Sequence, residues 1–299
     1  MVRTIEPLVS TARLEVHLGV TAPAAGSAPG AAGPGAGGLV IVDIRESGLY
    51  EAGHVPGSIS IPFSPMSDWA VSDDELLMEL PPDEDLFRLL GDWGLAPDSA
   101  AVLVGTVEPG PAPPYALSDA PRVAATLFQA GVTDVGILNG GYPQWAREGR
   151  PATSDAPAVV PHRYAGSADK DMFVSTEYVK AHLGDALLVD GRDADEYFGV
   201  TPCPFAGVGG HIPTARSLPA PWMWNDDGTY KPVEMLRDMV EGVLGPDRDQ
   251  QIIAYCGVGG YASAWWFVLA QILGYRNVKI YDGAAEAWVK SDSMVSYTW

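Results

Sequence analysis

Two stretches decide the fold, VSTARLEVHLG at residues 9–19 and VSTEYVKAHLG at residues 174–184. Val, Ser, Thr, His, Leu and Gly stand at identical relative places in both, which marks an internal duplication. In each copy Ser or Thr precedes apolar residues at helical spacing and a glycine follows them. Each therefore reads as a short helix with an N-cap and a glycine stop. Working outward, an apolar run follows in both halves, LVIVDIR at 39–45 and LLVDGR at 187–192, with the character of a buried strand. Tyr50 and Tyr197 come next at matching offsets, then Gly-His-Val-Pro at 53–56 and Gly-His-Ile-Pro at 210–213, then Pro62 and Pro219.

The halves also end alike. GVTDVGILNGGYPQW at 131–145 and GYRNVKIYDGAAEAW at 274–288 keep Gly, Val and Trp in register and read as a helix end, a strand and a new helix. Strands alternating with helices through short Gly/Pro turns predict an α/β fold, with a mainly parallel central sheet and helices on both faces, built twice. The expected organisation is an N-terminal domain at 1–150, a linker at 151–172 without a strong period, and a C-terminal domain at 173–299. Two insertions differ between the copies. The Gly/Ala/Pro tract at 21–38 reads as a flexible surface loop. FGVTPCPFAGVG at 198–209, with its spaced prolines and glycines, reads as an ordered loop.

Composition narrows the function. A chain of 299 residues has room for two domains, and its 47% hydrophobic and 19% charged residues are those of a soluble globular protein. No apolar run approaches the ~18 residues of a membrane span. The N-terminal MVRTIEPLVSTARL mixes charges and lacks the apolar core of a signal peptide. With only two cysteines, Cys203 and Cys256, a reducing and hence cytoplasmic location is expected. The net charge of -20 opposes nucleic acid as a partner, and any small anion bound here would need local donors. Neither nucleic acid nor a membrane is an expected partner.

AYCGVGGYASAWWFVL at 254–269 carries the chemistry. Cys256 ends an apolar strand, and Gly257, Val258, Gly259, Gly260 and Tyr261 separate it from an apolar helix. Glycines at such a turn let successive N–H groups curl toward the sulfur, and the helix start adds positive potential. Surroundings of this kind can lower a cysteine pKa from ~8.5 into a range of roughly 3.5 to 7.5, so a reactive thiolate is expected. The competing reading of Cys256 as one more buried small hydrophobe rests on the usual fate of free cysteine. Cys203, between Pro202 and Pro204, reads as incidental, or as a resolving thiol if its loop folds over the site. His54 and His211 read as structural, bonding backbone at their turns.

The duplicated elements, together with Pro221-Trp222, DGTYK at 227–231 and the Cys256 loop, resemble the tandem-rhodanese sulfurtransferases, the family of thiosulfate and 3-mercaptopyruvate sulfurtransferases. The resemblance covers nearly the whole chain. It implies two rhodanese-like domains, of which only the second keeps the catalytic cysteine. AAVLVGT at 100–106 stands where QIIAYC stands in the second half, and no cysteine follows it. It further implies a persulfide on Cys256, held by the loop 257–261 and passed to a thiol or cyanide, with no metal or organic cofactor. Arg192 matches the family arginine that reaches the anionic end of the donor, and Trp222 and Trp224 would wall the cleft. The expected partners are a small sulfur donor, a thiol or cyanide acceptor and a sulfur-acceptor protein.

Departures from the family loops bear on the donor. Relatives with CGVGGRAS carry arginine where this chain has Tyr261, and mercaptopyruvate enzymes carry serine in a CGSG loop where this chain has Val258. Thiosulfate is the expected donor, with 3-mercaptopyruvate second. The alternative is a non-catalytic binding or persulfide-carrier module served by a protein partner. A phosphatase of the related fold is disfavoured, since the phosphate-gripping arginine would fall at Ala262 and none occurs between Cys256 and Arg276.

Overall fold

The computed structural model describes residues 3–19, 38–63, 67–72, 75–106 and 115–297. The tract expected as a surface loop at 21–38 lies outside the described residues except for Gly38. The chain divides into two compact units. One comprises Met1–Trp69, Pro81–Asp169 and Asp226–Thr229, the other Ala70–Leu80, Lys170–Asn225 and Tyr230–Trp299.

In chain order the first unit contains β1 (Leu8–Val9), α1 (Thr11–Leu18), β2 (Leu39–Asp43), α2 (Ser47–Ala52), β3 (Ser58–Ser60), α3 (Asp83–Asp92), β4 (Ala100–Val104), α4 (Asp119–Gln129), β5 (Asp134–Leu138) and α5 (Gly141–Arg147). The second contains β6 (Phe173–Val174), α6 (Thr176–Ala181), β7 (Leu187–Asp190), α7 (Ala194–Phe198), β8 (Arg216–Ser217), α8 (Val233–Leu244), β9 (Ile252–Tyr255), α9 (Gly260–Trp266), β10 (Val278–Tyr281) and α10 (Ala284–Trp288). Each unit holds a five-stranded parallel sheet, in the order β1-β5-β4-β2-β3 and β6-β10-β9-β7-β8. The doubled parallel-sheet architecture expected from the repeat is thus present, and its central strands are mainly apolar because both faces are covered, with buried Asp43 and Asp190 at the ends of β2 and β7.

The duplication extends to individual hydrogen bonds. Ser10 and Ser175 cap α1 and α6 by accepting from the N–H groups of Arg13 and Tyr178. Gly19 stops α1 in the left-handed conformation at φ 63°, whereas α6 ends sooner, with His182 as its cap and Gly184 beyond it. Arg45 and Arg192 each bond the aspartate two residues before, Asp43 and Asp190, and the carbonyl of Gly53 or Gly210. Tyr50 and Tyr197 donate to the carbonyls of Ser58 and Ala215. His54 and His211 bond the carbonyls of Tyr50 and Tyr197 at 2.9 Å and stack on those same rings, the structural role their turns suggested.

The segment 151–169, which lacks regular structure, is nonetheless tied to the first unit. Thr153 exchanges backbone bonds with His54, His162 N–H reaches the Gly91 carbonyl, and Tyr164 donates to the Ala130 carbonyl. After α9 the backbone widens into a π-helical turn, Phe267–Ile272, where the N–H of Leu273 bonds the carbonyl five residues back. Among the described residues no helix is long and apolar enough to cross a membrane.

Candidate active site

Cys256 follows β9, the middle strand of the second sheet, and stands at the carboxyl end of that sheet, where open α/β folds place their ligands. Its residue is only 3% exposed. The loop turns back over it because Gly259 adopts φ 97°, a conformation that a side chain would strain. Gly259 N–H donates to the Cys256 sulfur at 3.1 Å, and the N–H groups of Val258, Tyr261 and Ala262 lie near enough to lower the pKa of the thiol. Ser263 closes the turn from the other side, its N–H and hydroxyl both donating to the Gly259 carbonyl. The following segment clamps the loop, since Ala285 N–H bonds the Cys256 carbonyl and Glu286 N–H the Gly257 carbonyl.

These amides do not make Cys256 the low-pKa thiol expected from the sequence. Burial is the largest influence and pushes the thiol up, while the N–H groups of Ala262, Val258, Gly259 and Tyr261 pull it down without cancelling that effect. The Gly-rich sequence revealed the donors but not the depth of burial. An anion placed on the sulfur would meet four backbone donors in a dry site, the arrangement that suits a negative charge outside the thiol itself.

The glycines divide their work. Gly259 supplies the left-handed turn. Gly257 permits close approach: a Cβ there would lie 2.6 Å from Phe205 and 3.6 Å from the Cys203 sulfur. The inserted loop at 198–209 therefore packs directly on the Cys256 loop. It is ordered by its own bonds, Cys203 N–H to the Val208 carbonyl and Gly207 N–H to the Cys203 carbonyl. Cys203 is buried. Sequence reasoning left the position of this thiol open, because nothing in a loop sequence says what it covers.

Arg192 is engaged through Nε and Nη2. It is 2% exposed and paired with Asp190, which also accepts from the Tyr255 hydroxyl at 2.6 Å. This is the pattern of Arg45 with Asp43 in the first unit, yet Arg192 differs in that Glu196 lies 3.9 Å from its Nε and its Nη1 is buried without a hydrogen-bond partner. Of the two tryptophans expected to wall the site, Trp224 is buried against Tyr261, with ring centroids 6.2 Å apart, and Trp222 is half exposed to solvent. One contribution was not foreseen. Residues from the stretch Ala70–Leu80 bond the segment that clamps the loop, Leu80 N–H to Asp282 and Leu77 N–H to Glu286. Among the described residues no group of three or more His, Cys, Asp or Glu side chains could hold a metal ion.

In the first unit Gly105 takes the place of Cys256. It follows β4 as Cys256 follows β9, and its carbonyl accepts from Tyr142 N–H as that of Cys256 accepts from Ala285.

Fold and site together define a doubled α/β protein with one cysteine loop at the end of its second sheet. The rhodanese-like domain model matches residues 31–105 and 175–291, and the chain belongs to the rhodanese family of sulfurtransferases and sulfur carriers. It is 33% identical to the sulfur carrier protein TtuD of Thermus thermophilus over 80% of this chain and 84% of that protein. It is 32% identical to a protein of Saccharopolyspora erythraea named as a candidate thiosulfate sulfurtransferase, over 86% of this chain and 89% of that one. Among solved structures, YnjE superposes with a TM-score of 0.77 at 26% identity, covering 98% of this chain and 69% of that one. The ergothioneine biosynthesis enzyme of Chlorobium limicola superposes with a TM-score of 0.77 at 23% identity, over 98% and 71%, a likeness of fold.

Proposed function

We propose that this protein is a sulfurtransferase that moves a sulfane sulfur from a small donor to a thiol or cyanide acceptor through a persulfide on Cys256. The observation that carries the reading is a buried cysteine sulfur at the end of the sheet that accepts from Gly259 N–H and has the N–H groups of Val258, Tyr261 and Ala262 around it. In the first half-reaction Cys256, as thiolate, attacks the outer sulfur of the donor, and the rest of the donor leaves with the electron pair of the broken bond. The resulting persulfide anion fits the same amides, which are fixed in advance and need no reorganisation. In the second half-reaction the acceptor attacks the outer sulfur and Cys256 returns. Gly257, Val258, Gly259, Gly260 and Tyr261 form the binding loop in this scheme. Arg192 supports the loop's surroundings through Asp190 and Tyr255.

Thiosulfate is the favoured donor, in keeping with the names carried by several relatives, and 3-mercaptopyruvate is the second. The site is in the cytoplasm on this reading. The second functional reading is a persulfide carrier loaded by a protein partner. The name of the Thermus relative favours it, as does the loop itself, whose residues 257–262 include no cation to grip a dianionic donor.

Turnover with thiosulfate and cyanide, set beside turnover with 3-mercaptopyruvate and a thiol, tests the proposal. Activity with either donor, lost in Cys256→Ser, is the expected result. Full activity in Cys256→Ser would overturn the mechanism. No activity with either donor, combined with sulfur uptake from a cysteine desulfurase, would establish the carrier instead.

A further inference from the structure

The chain has only two cysteines, far apart in sequence, and the fold brings Cys203 against the residue that follows Cys256. Cys203 projects from the inserted loop with its sulfur 3.6 Å from where a Cβ of residue 257 would stand, beside the residue that follows Cys256. That approach depends on Gly257, since any side chain there would collide with Phe205 at 2.6 Å. A persulfide carries its outer sulfur about 2 Å beyond Sγ, so a loaded Cys256 reaches further than the bare thiol does. A second feature distinguishes Cys203 from an inert buried cysteine. The guanidinium of Arg192 lies within electrostatic reach of Cys203, and its Nη1 is buried with no hydrogen-bond partner. An unpaired buried guanidinium donor is costly, and an anion on Cys203 is what would satisfy it.

We propose that Cys203 is a second sulfur-carrying residue, which takes the sulfane sulfur from the Cys256 persulfide. The proposal rests on the reading of Cys256 as a persulfide carrier. The step balances without a co-reactant: Cys256–S–S⁻ and Cys203–SH give Cys203–S–S⁻ and Cys256–SH. A bond forms between Cys203 Sγ and the outer sulfur. The bond from that sulfur to Cys256 Sγ breaks, its electron pair stays on Cys256, and the Cys203 proton ends there. Nothing is oxidised or reduced overall. Burial, which pushes the Cys256 thiol up, favours the return of that proton. Cys203 is then a staging post that frees Cys256 for another donor before the first sulfur has left the protein.

The test is peptide mapping of the full chain after brief treatment with thiosulfate or, separately, 3-mercaptopyruvate, followed by acid quench and alkylation. Arg216, Arg237 and Arg248 lie between the two cysteines, so trypsin places them on separate peptides. The expected result is the mass of one added sulfur atom on both peptides, and its loss from both in Cys256→Ser. Added sulfur on Cys256 alone would overturn the relay and leave the Cys256 reading standing. Added sulfur on neither, with these donors or after treatment with a cysteine desulfurase and cysteine, would overturn both. Sulfur on Cys203 of a Cys256→Ser chain, alone or mixed with loaded wild-type protein, would show delivery from solution and overturn transfer within the molecule. A disulfide joining the two peptides would make Cys203 a resolving thiol that expels sulfide, and would also overturn the relay.

Discussion

At Cys256 two opposing effects meet on one atom. Removing a thiolate from water is unfavourable and pushes the thiol up; four N–H groups aimed at the sulfur stabilise the anion, and burial prevails. Because only the thiolate alkylates, the rate of Cys256 labelling by iodoacetamide at constant reagent should climb about tenfold per pH unit through neutrality and level off above the ordinary thiol value of ~8.5. A plateau reached well below pH 8 would mean that the amides dominate. Tyr261 gives the second prediction at this scale. Its side chain is buried against Trp224, so the loop offers donor anions backbone dipoles but no side-chain charge. Tyr261→Arg should improve kcat/KM for thiosulfate roughly tenfold, the equivalent of one charge-assisted hydrogen bond of about 1.5 kcal/mol. An unchanged or lower value in steady-state assays would show that an arginine here cannot reach the donor.

At the scale of elements, the strand-to-helix turns of the two copies differ in one residue with a mechanical consequence. Gly141, at the start of α5, adopts φ 58°; its counterpart Ala284, at the start of α10, adopts φ 50° with a side chain attached. A left-handed alanine costs roughly 1–2 kcal/mol, and strain of this order tends to gather at functional sites. Here it lies beside Ala285, whose N–H holds the Cys256 carbonyl. Ala284→Gly should relieve the strain, offset in part by greater freedom of the unfolded chain, for a net gain of about 0.5 kcal/mol in urea denaturation. A loss of stability would mean that the alanine methyl contributes packing worth more than the strain. The clamp is tied in turn to a remote stretch: Leu77 N–H bonds Glu286, one of the two residues that hold the loop, and Leu80 N–H bonds Asp282, three residues before Ala285.

For the whole molecule the governing quantity is charge. A net -20 repels thiosulfate before any local contact is made, and this field is long-ranged and open to screening. Raising sodium chloride from 0.02 to ~0.2 M shortens the screening length severalfold, so kcat/KM for thiosulfate should rise with salt. A fall would reveal a local cation that outweighs the field. The same measurement with an uncharged acceptor should leave the second half-reaction nearly unaffected.

What the sequence by itself determined was whatever depends on neighbours along the chain. The Ser caps, the parallel strands, the paired His and Tyr turns and the absence of a cysteine after β4 are local chemistry, and the duplication made each of them readable twice. The loop's glycines likewise announced backbone donors for Cys256. Tertiary structure alone decided how deep that sulfur lies, and therefore that burial outweighs the amides. It also decided that Arg192 pairs with Asp190, that residues from Ala70–Leu80 bond the clamp around the loop, and that Cys203 rests against Gly257. Desolvation and contacts between distant segments depend on which surfaces the packed chain brings together, and no short-range pattern records that.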